Sequence, residues 1–269
     1  DAAISSTGVV TLTGTQTLTN KTLTSPKINE DVAVTSTATE LNLLDGKAAT
    51  NLALVGKQGG TNFTDSLLVG HSTTGTLNSA ENNVGVGIGT LDSITSGDNN
   101  VAIGKNALTA LTTSSNNVAV GLSSAQNLTT SAGGNTAFGN SSLYHNKTGT
   151  DNVAIGNSAL QGASNQSSSG GVALGASALE AVTTGANNIG IGKSAGDNIT
   201  SGAGNVIIGS LDAGSATGSR QLKIAGNDGS TTTTWISGDS SANVVIGGTV
   251  TEYGGASLTT TGKALVMGF

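Results

Sequence analysis

The chain has no cysteine, one proline (Pro26), and aromatic residues make up only 2% of its 269 positions. Each scarcity excludes something. Without cysteine there are no disulfide staples and no thiolate metal sites, and the redox compartment stays open. With so few aromatics a single thick core is excluded, because a compact globule of this length fills its centre with the side chains that bury most area. Charge is scarce as well. Charged residues are 10% of the chain, the net charge is −6, and the only arginine is Arg220. Phosphate binding needs clustered Lys and Arg, so nucleic acid is not expected as a partner. No stretch approaches the ~20 apolar residues that span a bilayer, so membrane insertion is not expected either. The sequence starts at Asp1 without an initiator methionine or a signal peptide, which leads us to expect a processed product or a part of a longer chain.

What remains is Gly, Ser, Thr, Asn and Ala, punctuated by Val, Ile and Leu. Disordered chains usually combine low hydrophobicity with high net charge. Here 35% of residues are hydrophobic, and they recur at fixed intervals. Asn-Asn-Val-Ala-Ile-Gly at 99–104 returns as Asn-Asn-Val-Gly-Val-Gly at 82–87 and Asn-Asn-Val-Ala-Val-Gly at 116–121, with variants at 135–139, 152–156, 171–175, 187–192 and 205–209. The closing glycines are Gly87, Gly104, Gly121, Gly139, Gly156, Gly175, Gly192 and Gly209, separated by 17, 17, 18, 17, 19, 17 and 17 residues. Gly70 lies one further period upstream. A fixed period of this kind marks a stack of like units.

Stacking the repeats gives columns with separate physics. Val101 and Ile103 are two apart, as are Val118 and Val120, Val153 and Ile155, and Ile189 and Ile191. Residues two apart on a strand share a face, so these pairs are expected to point into the core together with Leu108 and Leu160 from a second apolar column four residues after each glycine. A looser third column follows at Ile94, Leu111, Leu128, Val182 and Ile199. Between each Val/Ile pair stands a small residue: Ala102, Ala119, Ala137, Ala154 or Ala173, with Ile207 the exception. On the opposite face of the strand, this column predicts a surface closely approached by another chain. The closing glycines fit corners that need a positive φ or have no room for a Cβ. Asn83, Asn100, Asn117, Asn135, Asn152, Asn188 and Asn205, at equivalent corners, are expected to form an amide ladder. Coils ~4.8 Å apart would build a stack of roughly 40 Å. The fold class expected is all-β, an elongated β-solenoid or β-roll of about 17-residue rungs. Each rung is thin and buries few large side chains, so a homo-oligomer is expected, with dimer and trimer both open on symmetry.

The expected organisation is a Thr-rich extended segment with one short helix over 1–60, the solenoid over 61–219, and a β cap over 220–269. The helix is placed at 36–46, where Thr37 and Glu40 have capping-box spacing and Gly46 can end it. Terminal repeats must cap an open stack, and Trp235 is read as a plug there in preference to a sugar-stacking platform.

Catalytic and ligand-binding patterns are missing. His71 and His145 fall in turns with no acid or nucleophile at a recognisable spacing. Ile191-Gly192-Lys193-Ser194 lacks the leading glycine of a phosphate loop, since Asn187 stands there, and Gly85, Gly87 and Gly89 belong to the repeat. Asp92, Asp98, Asp151, Asp197 and Asp212 are read as solvated turn carboxylates, with no calcium-binding nonapeptide around them. The sequons at Asn127, Asn146 and Asn198 are what this composition produces anyway. We expect no enzyme, no metal and no cofactor.

Two resemblances attach to these residues. The Asn-x-Val-Ala-Ile-Gly strands with following Ala-Leu resemble the head repeats of trimeric autotransporter adhesins, although the rungs here are longer than that family's. The segments 12–28, 39–46 and 260–269 resemble bacteriophage tail-fibre and virion-fibre proteins, those of marine phages above all. The resemblance implies a homotrimeric virion appendage, with itself and other virion structural proteins as partners, and a host surface glycan or protein as the target of attachment. A bacterial surface adhesin head is the alternative.

Overall fold

The computed structural model describes residues 56–70, 73–163, 166–248, 250–251 and 257–258. The helix expected at 36–46, the Thr-rich segment, His71 and the 260–269 segment lie outside them. Among the described residues there is no helix, and the chain winds into about nine stacked coils of about 17 residues, a β-solenoid.

The stack opens with four short strands, β1 (Gly56–Gln58), β2 (Phe63–Thr64), β3 (Leu67–Val69) and β4 (Ala80–Glu81). Each following coil contributes one strand of three residues: β5 (Val84–Val86), β6 (Val101–Ile103), β7 (Val118–Val120), β8 (Thr136–Phe138), β9 (Val153–Ile155), β10 (Val172–Leu174), β11 (Ile189–Ile191) and β12 (Val206–Ile208). Then β13 (Leu222–Asn227), β14 (Thr232–Gly238) and β15 (Val244–Ile246) run as an antiparallel meander, and β16 (Val250–Thr251) pairs with β17 (Ser257–Leu258). One sheet of 13 strands runs from β1 to β15, parallel and in register from β3 through β13. In-register pairing places Val101 on Val118, Ala102 on Ala119 and Ile103 on Val120, so each column of the sequence becomes a column in space.

The structure inverts the expected faces of these strands. Ala102, Ala119, Ala137, Ala154 and Ala173 are fully buried inside their own coils, and the flanking Val and Ile side chains face out. Val101, Val120, Val153 and Ile189 are half-exposed, while Ile103, Val118, Ile155 and Ile191 are exposed. The alternation holds; the choice of inside was wrong. The reason is volume. The inward strand residue meets the leucine column of the facing arc, in which Leu91, Leu108, Leu143, Leu160 and Leu179 are all buried. A Cβ placed on Gly190 would lie 2.7 Å from Leu179 Cγ. Opposite the strand the leucine already takes the space that a larger inward strand residue would need. The third column, Ile94, Leu111, Leu128, Val182 and Ile199, is also buried.

Backbone conformation explains the Asn pair. The first member, Asn82, Asn99, Asn116 or Asn187, takes a left-handed φ of 55–64°, which Asn tolerates better than other side chains. The second member turns inward. At the other corner, Gly104 has φ 127°, and a Cβ there would sit 2.7 Å from the carbonyl carbon of Gly121. The glycine column thus lets consecutive coils approach backbone to backbone.

Candidate interaction face

The outward face of the sheet is the most unusual surface of the solenoid. Ten strands, β3 and β5–β13, each present two outward residues, and all but Thr136 are aliphatic or aromatic. Phe138 is 54% exposed, Ile155 43% and Ile103 40%. Spaced by strand pairing, the two columns form a ribbon roughly 45 Å long. Soluble monomers rarely expose contiguous apolar surface on this scale. Its side chains approach the ~20–30 residues that each partner contributes to a standard interface.

Behind that face the asparagine column is fully buried and hydrogen-bonded from coil to coil. The Asn100 backbone N–H and its Nδ2 both donate to Asn83 Oδ1, at 3.0 Å each. Asn117 does the same to Asn100, Asn135 to Asn117, and Asn152 to Asn135, at 3.0–3.1 Å. Each Nδ2 also donates to the backbone, as Asn100 does to Ser114 O at 3.0 Å. Ser66 Oγ starts the ladder by accepting from Asn83 N, and Gln221 ends it by donating to Asn205 Oδ1. It is interrupted once. Gly171 offers only its backbone N–H to Asn152 Oδ1, at 2.8 Å, and no side chain for Asn188 above it. The ladder fixes the register, and so holds the outward columns straight.

The repeat varies in ways the sequence pattern did not interpret. In the coil from Gly192 the leucine position is Gly196, and the inward strand residue is the fully buried Ile207. A Cβ on Gly196 would lie 3.1 Å from Ile207 Cγ1, so the isoleucine fills the space the missing leucine leaves. At the last parallel strand Lys223 takes the inward column, and its Nζ donates to Asp212 O at 2.9 Å. In the coil from Gly139 the third-column position is Asn146, which is fully buried. Its Nδ2 donates to Ser168 O and its Oδ1 accepts from Gly149 N, so that sequon is closed to modification in the folded chain.

No protein-family model, no curated protein and no solved structure matches this chain. Titratable groups offer little chemistry. Tyr144 and His145 pack edge to face with ring centres 4.5 Å apart. Asp197 is pushed above the usual carboxylate range, first by burial and then by its hydrogen bond with Asp212, with Glu180 adding repulsion. Among the described residues no group of three or more His, Cys, Asp or Glu is placed to hold a metal ion, and no helix is long and apolar enough to cross a membrane.

Proposed function

We propose that this chain is a non-enzymatic structural component of a virion fibre, a homotrimer that stands on the virion and attaches it to a host cell surface. The observation that carries the reading is the outward Val/Ile ribbon. Its side chains repeat at the spacing of the strands, so a second copy, with the same period, can match it rung for rung. The notion that the alanine column would make this contact is replaced: the alanines are inside, and the aliphatic pairs are the contact. Mutual burial of the ribbons, at roughly 25 cal/mol per Å² of apolar surface, gives each thin coil the apolar shielding it lacks alone. The resemblance of 12–28, 39–46 and 260–269 to phage fibre proteins favours a virion, with its other structural proteins as neighbours. The likeness of the Val-Ala-Ile strands to adhesin head repeats favours the second reading, a bacterial surface adhesin head.

Native mass spectrometry or light scattering tests the proposal. A stable species of three chain masses is expected, and Val118→Asp together with Ile155→Asp should dissociate it while leaving the β-type circular dichroism in place. A folded monomer at all accessible concentrations would sink the assembly.

A further inference from the structure

The meander after the last coil carries a feature that the shaft does not. Strand β13 has six residues against the three of each strand in β5–β12, and only Leu222, Lys223 and Ile224 pair with β12. Ala225, Gly226 and Asn227 pair with β14 alone, so this part of the hairpin overhangs the coil. Within it the register slips: Ile224 faces Ile236, whereas Ala225 faces Thr234. Trp235 is therefore the extra residue of a β-bulge, a device that re-aims a side chain. Contrary to the plug expected from the sequence, Trp235 is 55% exposed. Its ring lies over Gly226, where a Cβ would come within 2.5 Å of Cζ2 and 2.7 Å of Cη2. The glycine is what lets the ring lie down.

The ring forms one wall of a shallow depression of about 480 Å³, with Gly226, Asn227, Asp228, Thr231 and Thr233 as the rest of the lining. The turn holding these groups is braced from within. Asn227 Oδ1 accepts from Gly229 N at 2.8 Å, and Asp228 Oδ1 accepts from Ser230 N at 2.9 Å and Thr231 N at 2.7 Å. Among the described residues, no other residue hydrogen-bonds Asp228 Oδ2 or the hydroxyls of Thr231 and Thr233.

We infer that this overhang is a carbohydrate-binding site, in which an uncharged pyranose lays a C–H face on the Trp235 ring while Asp228, Thr231 and Thr233 hydrogen-bond its hydroxyls. The negative face of an aromatic ring attracts polarised C–H groups, and few convergent polar groups around an apolar platform are what fix orientation in a small-molecule site. An aliphatic peptide side chain would need an aliphatic pocket, and the lining supplies none. The site rests on the attachment half of the reading above and gives it a location outside the aliphatic ribbon.

Trp235 is the only tryptophan in the chain, so tryptophan-selective fluorescence reports this site alone. The intact chain is titrated with the methyl α- and β-pyranosides of glucose, galactose, mannose and N-acetylglucosamine, and saturation-transfer NMR follows the sugar protons. At least one glycoside should give a saturable emission change in the millimolar range. Asp228→Asn, which keeps the Oδ1 acceptor, should weaken it about threefold or more, and Trp235→Ala should abolish saturation transfer. The inference fails if no glycoside changes the emission, or if saturation transfer survives Trp235→Ala. It fails equally if the ring is shielded from a neutral quencher in a protein-concentration-dependent way, which would mean that another copy covers it. Native mass on the same samples keeps the two proposals apart. A trimer without sugar binding overturns this site only, and a sugar-binding monomer overturns the assembly only.

Discussion

The coils from Val84 to Gly156 and those from Gly156 to Ile224 are built on one plan but obey it differently. In the first stretch the asparagine ladder is unbroken from Asn83 to Asn152. In the second, the longest coil of 19 residues precedes Gly175, Gly171 interrupts the ladder, and Gly196 with Ile207 exchange the sizes of two core positions. Both stretches keep the same strand register. The strand register thus survives both a missing link in the ladder and an exchange of sizes inside a coil.

The largest effect should come from breaking that exchange. Ile207→Ala removes the side chain that fills the gap at Gly196 and should cost about 3 kcal/mol, within the range of buried Ile truncations. Ile208→Ala, one residue on and facing out, should cost far less in the isolated chain. The double variant Ile207→Ala, Gly196→Leu rebuilds the first-stretch arrangement and should recover much of the loss in urea unfolding. Leucines already occupy the equivalent left-handed position with φ of 47–55° at Leu160, Leu108, Leu91, Leu179 and Leu143. If the double variant is no better than Ile207→Ala, volume is not what the two stretches share.

Next in size is the ladder. Asn117→Ala leaves the buried Asn135 backbone N–H without its acceptor, takes one of several acceptors from Asn135 Nδ2, and removes the Nδ2 donor to Asn100 Oδ1, which keeps the backbone N–H of residue 117. Orphaned buried polar groups cost about 1–3 kcal/mol each before relaxation, so a loss of about 2–3 kcal/mol is expected. Asn188→Ala, whose lower link is already missing, should lose about 1 kcal/mol less. Equal losses would show that the amide-to-backbone bonds, common to both sites, carry the effect.

Repairing the break should raise stability. Gly171→Asn supplies an acceptor for Asn188 N and a second donor to Asn152 Oδ1, for a gain of about 1 kcal/mol. Its Cβ would sit 3.1 Å from both Asn152 Oδ1 and Leu160 Cδ2, so both must yield slightly. A destabilised variant would mean that this crowding outweighs the new bonds.

These sites also mark what the sequence could reveal. The period, the glycine corners and the asparagine column were legible because each depends on a residue type with one strong reason to recur. The faces were not. Hydrophobicity ranked Val101 and Ile103 as core and Ala102 as surface, whereas the decisive quantity was the space already taken by the leucine column. One signal was available: Ile207 breaks the alanine column in the coil where Gly196 breaks the leucine column, and residues that trade size across a repeat share a cavity. Trp235 was misread for a related reason, since nothing in one strand's sequence announces a bulge whose evidence is the pairing of two.

The smallest effect contrasts two kinds of carboxylate. Asp197, in the second stretch, favours its proton in the folded chain because of burial first and Asp212 second. A raised carboxyl contributes stability in full below its unfolded value, about 3.8, and loses it as pH rises through the folded value. Asp197→Asn keeps a side chain that can hydrogen-bond Ser194 and removes the repulsion from Asp212 and Glu180. The variant should therefore melt slightly higher than the parent at neutral pH, with the gap closing as the pH falls through the raised folded value towards 3.8. Asp228 and Asp239 are held below the usual range by hydrogen bonds from their turns, so their contribution is present above the unfolded value and is lost as pH falls through the folded one. Their Asn variants should show the opposite sign at neutral pH. A uniform loss for Asp197→Asn at every pH would mean that the carboxylate is held by its bond to Ser194 more strongly than its neighbours repel it.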